Sequence, residues 1–413
     1  MKASILCVGT ELLFGQIVNT NAAWLSQQLQ MAGVDVLYHH VVGDNEGRMR
    51  ALLAETLAQS DIVVATGGLG PTQDDLTKEI IADVLGAELV LDEKALADIE
   101  GFFKRFGNEM TENNRKQAYL PAGCRIYYNE VGTAPGFCLE KDGKAVIALP
   151  GPPRELKHLY EKWVRPWLTE KTNASIYNKV LRFYGIGEST LETKLAPVIE
   201  GQTDPTVATY AKEGEVSVRV ASKRATVEEA AVAVQETIDK IYQIAGKYLY
   251  STEDQELHEV VASRLLACGG TLASAESCTG GMFAERILSV PGMSASYLAG
   301  LVTYSNEMKT ELLGVPAALI EKHGAVSEEV ASAMATGVKA RTGADYAVAV
   351  TGVAGPDGGS EAKPVGSCWI SLAQKGMVIT LPFETRDRGR QWNRNIFVLA
   401  MLDLLNKALL RQL

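Results

Sequence analysis

Apolar and polar positions along the first 168 residues switch repeatedly between two periods. Short apolar runs at Ile5 to Val8, Val34 to Val42 and Asp61 to Ala65 read as strands; Asn21 to Met31 and a segment ending at Ala58 read as helices between them. Strand and helix in alternation predict a parallel sheet with helices on both faces. In such sheets ligands bind outside the carboxyl ends of the strands, which directs attention to the loops after the first and third runs. From Thr169 to Thr252 the pattern becomes that of a smaller α+β region, with strands at Tyr177 to Gly185 and Val216 to Ala221 and helices at Glu188 to Ile199 and Val227 to Ile244. Beyond Glu253 come a helix at Leu257 to Ala267, a turn at Gly269-Gly270 leading into a short strand, a helical stretch from Met282 to Leu288 and a closing helix at Asn395 to Leu409. On that closing helix Ile396, Leu399, Ala400, Leu404 and Leu410 predict one mostly apolar face, suited to a core or a subunit interface. The expected organisation is α/β throughout: a doubly wound sheet domain over residues 1–168, a small α+β middle domain over 169–252 and an α/β domain over 253–413.

Length supports this division, since 413 residues exceed one ordinary core. Hydrophobic residues make up 46% of the chain, enough for several cores, and the formal charge of −10 argues against a general nucleic-acid binder, which needs a basic surface. Cys7, Cys124, Cys138, Cys268, Cys278 and Cys368 form no C-x-x-C pair, which points away from a zinc site or a disulfide framework and toward a reducing cytoplasm. The start, M-K-A-S-I-L-C-V-G-T-E-L, has too short an apolar run for a signal peptide, and no apolar stretch reaches the length that crosses a bilayer.

Two segments carry candidate chemistry. The first is Ala275 to Gly281, A-E-S-C-T-G-G, followed by Tyr304, Ser305, Asn306 and Lys309. It places Ser277 at a strand-to-helix corner, where a hydroxyl and free helix N–H groups face the same space. Ser277 would attack a carbonyl, those N–H groups would hold the oxyanion, a neutral Lys309 would take the hydroxyl proton and Tyr304 would relay it. On spacing alone the plainer reading is favoured, in which Ser277 and Thr279 cap the helix. Cys278 reads as a small buried apolar residue. The second segment is Thr66 to Asp75, T-G-G-L-G-P-T-Q-D-D, paired with Gly9-Thr10-Glu11 after the first strand. Gly67, Gly68 and Gly70 permit a tight turn, and Thr72 and Asp75 have the spacing of a capping box. The functional alternative is that Glu11, Asp74 and Asp75 gather a divalent cation of magnesium or manganese type beside a pyrophosphate gripped by the turn. Three carboxylates would repel a bare phosphate, so that alternative requires the metal.

Ordered motifs tie these segments to known families. A-E-S-C-T-G-G, then Val302 to Glu307 with Lys309, Gly324-Ala325-Val326-Ser327, Thr351 to Gly359 and Lys363-Pro364-Val365-Gly366 together resemble the nicotinamide-nucleotide amidase family. The resemblance implies a Ser-Lys amidohydrolase that converts nicotinamide mononucleotide to nicotinate mononucleotide and ammonia without a cofactor. It makes Ser277 the nucleophile, Lys309 the base and Tyr304 a supporting hydroxyl, with Thr279, Gly280, Gly352, Gly355, Gly358 and Gly359 around the substrate. Arg386, Arg388, Arg390 and Arg394 crowd the approach to the last helix, and Arg388 is the expected phosphate contact.

The first domain resembles the molybdopterin-binding fold and, more closely, the amino-terminal domain of the competence/damage-inducible CinA family. The matching residues include Gly9 to Leu12, Gly15 to Asn21, Gly43-Asp44-Asn45, Gly67 to Asp75, Asn113 to Ala118, Gly132 to Phe137 and Leu149 to Leu156. That resemblance implies a metal-dependent ADP-ribose pyrophosphatase yielding AMP and ribose 5-phosphate, with Gly67, Gly68, Gly70 and Lys116 on the substrate and Glu11, Asp74 and Asp75 on the metal. Asn19 stands where the family pattern leads one to expect Asp, which removes a charge. The alternative is that this domain only binds a pterin or a nucleotide. The middle domain resembles a KH module, but no G-x-x-G occurs among Gly185, Gly187, Gly201, Gly214 and Gly246, so a spacer or dimerisation role is expected. The expected partners are small-molecule nucleotides and further copies of the chain, with neither nucleic acid nor membrane.

Overall fold

The computed structural model describes residues 1–172 and 175–411. By internal contacts the chain forms two compact units, Met1–Asn178 with Ser222–Ala233, and Lys179–Ala221 with Val234–Leu413.

The first unit is built on a six-stranded sheet. Its strands are β1 (Lys2–Val8), β2 (Asp35–Val42), β3 (Ile62–Thr66), β6 (Arg125–Tyr127), β7 (Gly136–Lys141) and β8 (Lys144–Leu149); β4 (Leu89–Leu91) and β5 (Tyr119–Pro121) form a separate pair. The order is β2-β1-β3-β8-β7-β6. β2, β1, β3 and β8 run parallel, whereas β7 and β6 pair antiparallel. The parallel sheet expected from the sequence is thus a mixed one, because the tight Asp142-Gly143 turn returns β7 directly onto β8 instead of sending the chain through a crossover helix. Alternate residues of the central strands feed two cores: Leu6, Val63 and Val146 on one face, Ile5, Val64 and Ile147 on the other. Both faces are therefore covered, as a doubly wound sheet requires. Strand order reverses between β1 and β3, so the loops after these strands flank one crevice.

The middle region contains four strands, β9 (Ser175–Tyr184), β10 (Thr206–Ala211), β11 (Glu215–Arg224) and β12 (Leu249–Ser251), in the order β10-β11-β9-β12, with helices at Glu188–Ile199 and Val227–Ala245. The periodicity missed β10 and β12. The first carries Thr206, Tyr210 and Ala211 exposed and lacks a continuous apolar run, and the second is three residues long.

In the C-terminal region a five-stranded sheet runs β14 (Tyr297–Val302), β13 (Leu272–Glu276), β15 (Tyr346–Gly352), β16 (Ser367–Gln374), β17 (Met377–Glu384). The first three are parallel and the last two antiparallel. The closing helix spans Arg390–Leu409 and is buried nearly all round, Ile396 through Leu402 without a break. The single apolar face expected for it is corrected: the polar positions Asn393, Asn395 and Asn406 are buried too, with Asn393 Nδ2 donating to Ala354 O and Asp387, and the Asn395 and Asn406 side-chain oxygens accepting from Arg286 and Arg264. Helix Glu328–Thr342 approaches helix Asn306–Leu313 so closely that a Cβ on Gly337 would lie 2.0 Å from the Leu313 carbonyl oxygen. Gly337→Ala should therefore push the two helices apart at a cost of about 1–3 kcal/mol. Denaturant unfolding followed by circular dichroism should show a transition at lower denaturant than in the wild type.

Among the described residues, no helix is long and apolar enough to cross a membrane.

Candidate functional sites

The C-terminal candidate forms at the carboxyl ends of β13 and β15. β13 delivers Glu276 and then Ser277, whose backbone N–H donates to Val350 O across the sheet at 3.2 Å. Lys309 lies in helix Asn306–Leu313, which is capped by the Ser305 hydroxyl. Its side chain is 1% exposed, and Nζ reaches Ser277 Oγ at 3.2 Å, Thr303 O at 2.9 Å and Tyr304 O at 3.2 Å. Burial lowers the Lys309 pKa from its ordinary value, and Cys278 and Glu307 oppose that only in part. An ammonium so placed loses water, and among the described residues no carboxylate pairs with it directly, which favours the neutral amine.

The oxyanion donors expected from the helix are not available. Glu276, 1% exposed, accepts from Gly281 N, Phe283 N and Ala284 N at 3.0–3.1 Å and from the Thr279 hydroxyl at 2.7 Å. A carboxylate at a helix start is the natural occupant of those donors. Thr279 therefore spends its side chain on Glu276. The backbone N–H groups of Cys278 and Thr279 are different: among the described residues no oxygen accepts from them, and they face only the Cys278 sulfur. They directly follow Ser277 and are the donors left for an oxygen ligand at this corner. The Cys278 thiol is buried, with its pKa pushed up to about 12 by desolvation, which suits a packing residue and not a nucleophile.

Tyr304 also departs from its expected role. Its carbonyl, not its hydroxyl, meets Lys309, and the side chain is 62% exposed with Oη receiving a hydrogen bond from Arg390 at 3.2 Å. Arg390 donates in addition to Gly355 O at 2.7 Å, and Arg394 donates to Thr279 O at 2.7 Å. Arg388 instead lies over the Trp392 ring, 4.7 Å from its centroid. Arg390 and Arg394, one helical turn apart, are thus the two guanidinium groups bonded to the loops around Ser277. Arg388, the arginine expected from the sequence to meet the phosphate, is instead the one stacked on Trp392, and Arg390 and Arg394 were in the basic cluster without being singled out. Gly355 and Gly359 pack against Val365, and a Cβ on Gly352 would lie 2.3 Å from Cys368 Cβ, so the glycines first serve to fold this loop on itself. Gly280, with φ +59°, and Gly358, with φ +86°, occupy left-handed turns.

The N-terminal candidate is a cavity of about 370 Å³ at the carboxyl ends of β1 and β3. Glu11, Asp74, Asp75, Gly67, Gly68 and Gly70 all line it, as do Asp44 and Glu155. Gly67 has φ +100°, and a Cβ there would sit 2.1 Å from Val8 O, so only glycine lets this loop cross the end of β1. The N–H groups of Gly68, Leu69 and Gly70 have no acceptor among the described residues, which makes them a ready anion cradle. The helix here starts at Thr77, not at Thr72, and Leu76 is its N-cap. Asp75 instead accepts from Thr72 N at 2.9 Å and shares the Thr72 hydroxyl with Asp74, whose pKa that bond lowers. Lys116 does not face the cavity as a phosphate contact; its ammonium donates to the Thr72 and Asp75 carbonyls and lies 3.6 Å from Glu79.

Two further titratable residues lie at or beside this cavity. Lys78 is 3% exposed beside this turn and has its pKa brought down to about 8 by burial. Glu155, held by Asn129 at 2.6 Å, has its pKa raised by burial. Nothing in a helical Pro-Arg-Glu-Leu stretch marks Glu155 for burial; the cause is tertiary, because Gly132 packs on its carboxylate.

Among the described residues no three acidic, histidine or cysteine side chains converge into a ready metal cage. Magnesium does not demand one. It typically takes one or two carboxylates and completes its shell with substrate phosphates and water. Glu11, Asp74 and Asp75 on the wall of a cavity that also holds free N–H groups fit a cation of that kind.

Fold and sites define a class: a molybdopterin-binding-type sheet domain, a small KH-like domain and a C-terminal α/β domain with a buried serine–lysine pair. Residues 4–170 match the probable molybdopterin binding domain, residues 178–251 the damage-inducible protein CinA KH domain, and residues 254–409 the CinA C-terminal domain. A competence-damage inducible protein of Acetivibrio thermocellus is 47% identical over 415 residues, covering 100% of this chain and 99% of that one. One from Clostridium botulinum strain Loch Maree is 46% identical, covering 99% and 100%. The crystal structure of competence/damage inducible protein CihA from Agrobacterium tumefaciens is 39% identical over 38% of this chain and 96% of that one, with a TM-score of 0.36. The chain belongs to the CinA family of competence/damage-inducible proteins.

Proposed function

We propose that the C-terminal site hydrolyses the amide of nicotinamide mononucleotide, and the observation that carries this reading is the desolvated Lys309 Nζ 3.2 Å from Ser277 Oγ. Neutral Lys309 takes the Ser277 proton as Oγ attacks the carbonyl carbon, and the Cys278 and Thr279 N–H groups receive the developing oxyanion. On collapse the C–N bond breaks, the Lys309 proton passes to the leaving nitrogen, and ammonia departs. Water, deprotonated by the same amine, then cleaves the Ser277 ester and releases nicotinate mononucleotide. Arg390 and Arg394 are placed to receive the ribose phosphate.

No step in this sequence calls on a metal. Ammonia release by the full chain should therefore survive EDTA, and its loss under EDTA with the circular dichroism spectrum unchanged would replace the serine–lysine mechanism with a metal-assisted one.

For the N-terminal cavity the reading is hydrolysis of ADP-ribose to AMP and ribose 5-phosphate. The three free N–H groups of Gly68, Leu69 and Gly70 support a bound pyrophosphate, and one or two of the carboxylates Glu11, Asp74 and Asp75, together with the substrate phosphates, would hold the divalent cation that neutralises it. Chromatography of products with and without magnesium or manganese tests this. Nucleotide binding without turnover would leave the domain a nucleotide- or pterin-binding module.

A further inference from the structure

Two residues of the C-terminal site reach the reacting groups at one end and an arginine at the other. Thr279, next but one after Ser277, donates its hydroxyl to Glu276 at 2.7 Å, and its carbonyl accepts from Arg394 Nη2 at 2.7 Å. Tyr304 accepts from Lys309 Nζ at its carbonyl and from Arg390 Nη2 at its hydroxyl, both at 3.2 Å. Arg390 Nη1 donates in addition to Gly355 O at 2.7 Å, and Arg394 Nη1 to Gln391 Oε1 at 3.4 Å. The nucleophile corner and the base are thus each tied to one guanidinium. The two guanidiniums stand one turn apart on one face of helix Arg390–Leu409, at its start, where no side chain caps the helix. Among the described residues no carboxylate pairs with either, and a guanidinium carries more donors than these contacts use. Uncompensated positive charge at the positive end of a helix calls for an anion.

We propose that a phosphate dianion held across Arg390 and Arg394 does more than anchor the substrate: through Tyr304 and Thr279 it fixes the base and the nucleophile corner, and so accelerates the chemical step at Ser277. The inference rests on the reading of this site as a nicotinamide mononucleotide hydrolase, and it makes the site select nucleotide over nucleoside in turnover as well as in affinity. Arg390 and Tyr304 are exposed, so without the dianion water competes for the bond between them. A dianion that accepts from the unused donors of both guanidiniums leaves their bonds to Tyr304 Oη and Thr279 O in place and removes the freedom of the side chains that make them. Binding energy from the part of the substrate that does not react is thereby applied to geometry at the part that does. Tyr304 acts in this arrangement as a positioning residue, since its hydroxyl is engaged by Arg390 and its carbonyl, not its hydroxyl, meets Lys309.

The test follows ammonia release by the full chain from nicotinamide mononucleotide and from nicotinamide riboside, which lacks the phosphate; the riboside is assayed with phosphite dianion and with chloride at equal ionic strength. The riboside should show a kcat about 100-fold below that of the nucleotide, the scale of a small misplacement of reacting groups. Phosphite, which carries the dianion without the rest of the substrate, should raise riboside turnover about tenfold or more over chloride. In Arg390→Ala, Arg394→Ala and Tyr304→Phe the ratio of the phosphite rate to the chloride rate should fall toward unity. Circular dichroism checks the fold of each, and the exposed positions Arg390 and Tyr304 decide the matter if Arg394→Ala unfolds. Riboside turned over with the nucleotide's kcat and only a raised KM, or no activation by phosphite, overturns the coupling and leaves the arginines as anchors, with the hydrolase reading intact. A Tyr304→Phe loss that is equal with and without phosphite overturns the positioning role of Tyr304 in favour of a proton relay. No ammonia from the nucleotide itself overturns the hydrolase reading and this inference with it.

Discussion

Ser277→Ala and Lys309→Arg should each reduce ammonia release from nicotinamide mononucleotide on the order of 10⁴-fold, and the double variant should be little worse than either single one, because a nucleophile and its base act as one unit. The guanidinium keeps its proton and cannot accept the one from Ser277 Oγ. At 1% exposure the larger head of arginine has little room, so Lys309→Met serves beside it, and circular dichroism establishes folding for both. The pH profile gives an independent sign. Lys309 must be neutral to act, so turnover falls as pH drops through its folded pKa; burial has moved that value down, and the acidic limb should lie below the ~10.4 of a free lysine. Stability runs in the same direction. Between the folded pKa and the unfolded one the unfolded chain holds more protons at this site, so wild-type stability rises with pH there, and Lys309→Met should lack that rise. Lys309→Arg retaining most of the wild-type turnover, or single losses that simply add in the double variant, would remove the dyad and leave Lys309 as a binding residue.

What the sequence disclosed about this site follows from how local each feature is. Ser277 at a strand-to-helix corner is a matter of a few consecutive residues, and the strand Leu272–Glu276 and helix Met282–Leu288 stand where the pattern put them. That Glu276 would absorb the helix donors was legible in principle, since an acid three residues before the Thr279-Gly280-Gly281 turn lies within reach of a helix start. The burial of Lys309 was not: its neighbours Asn306, Glu307 and Thr310 are polar, and only the packing of its helix against Gly337 and the end of β13 encloses it. The same limit applies to the arginines. Four basic residues within nine positions look alike in sequence; one stacks on Trp392 while two reach loops 35 and 115 residues away along the chain. In the first unit, the crevice between β1 and β3 could be foreseen from strand and helix alternation, because strand ends and their loops are adjacent in sequence. The raised pKa of Glu155 depends on burial against residues such as Asn129, 26 positions away, and no periodicity carries that contact.

Asp75→Asn and Asp75→Ala should both lower ADP-ribose cleavage by about 100-fold or more and leave ammonia release as it was, because Asp75 lies on the pyrophosphate cavity and no residue is shared with the C-terminal candidate. The two variants separate two roles of one carboxylate. Asp75 also braces the turn by accepting from Thr72 N and Oγ1, and Gly70 leaves no space for a shift, since a Cβ there would lie 2.4 Å from Asp75 Oδ2. An asparagine preserves that acceptor and that shape while removing the charge; an alanine removes both. If the charge is what matters, the asparagine variant falls with the alanine variant, and the magnesium concentration for half-maximal rate rises in it, because a neutral oxygen holds a hard divalent cation less well. If Asp75 is only a brace, the asparagine variant cleaves ADP-ribose near the wild-type rate with the wild-type magnesium requirement, and Asp75 then leaves the proposed cation set. Loss of ammonia release in parallel would show that the substitution unfolds more than the turn, and thermal melting of both variants decides that case.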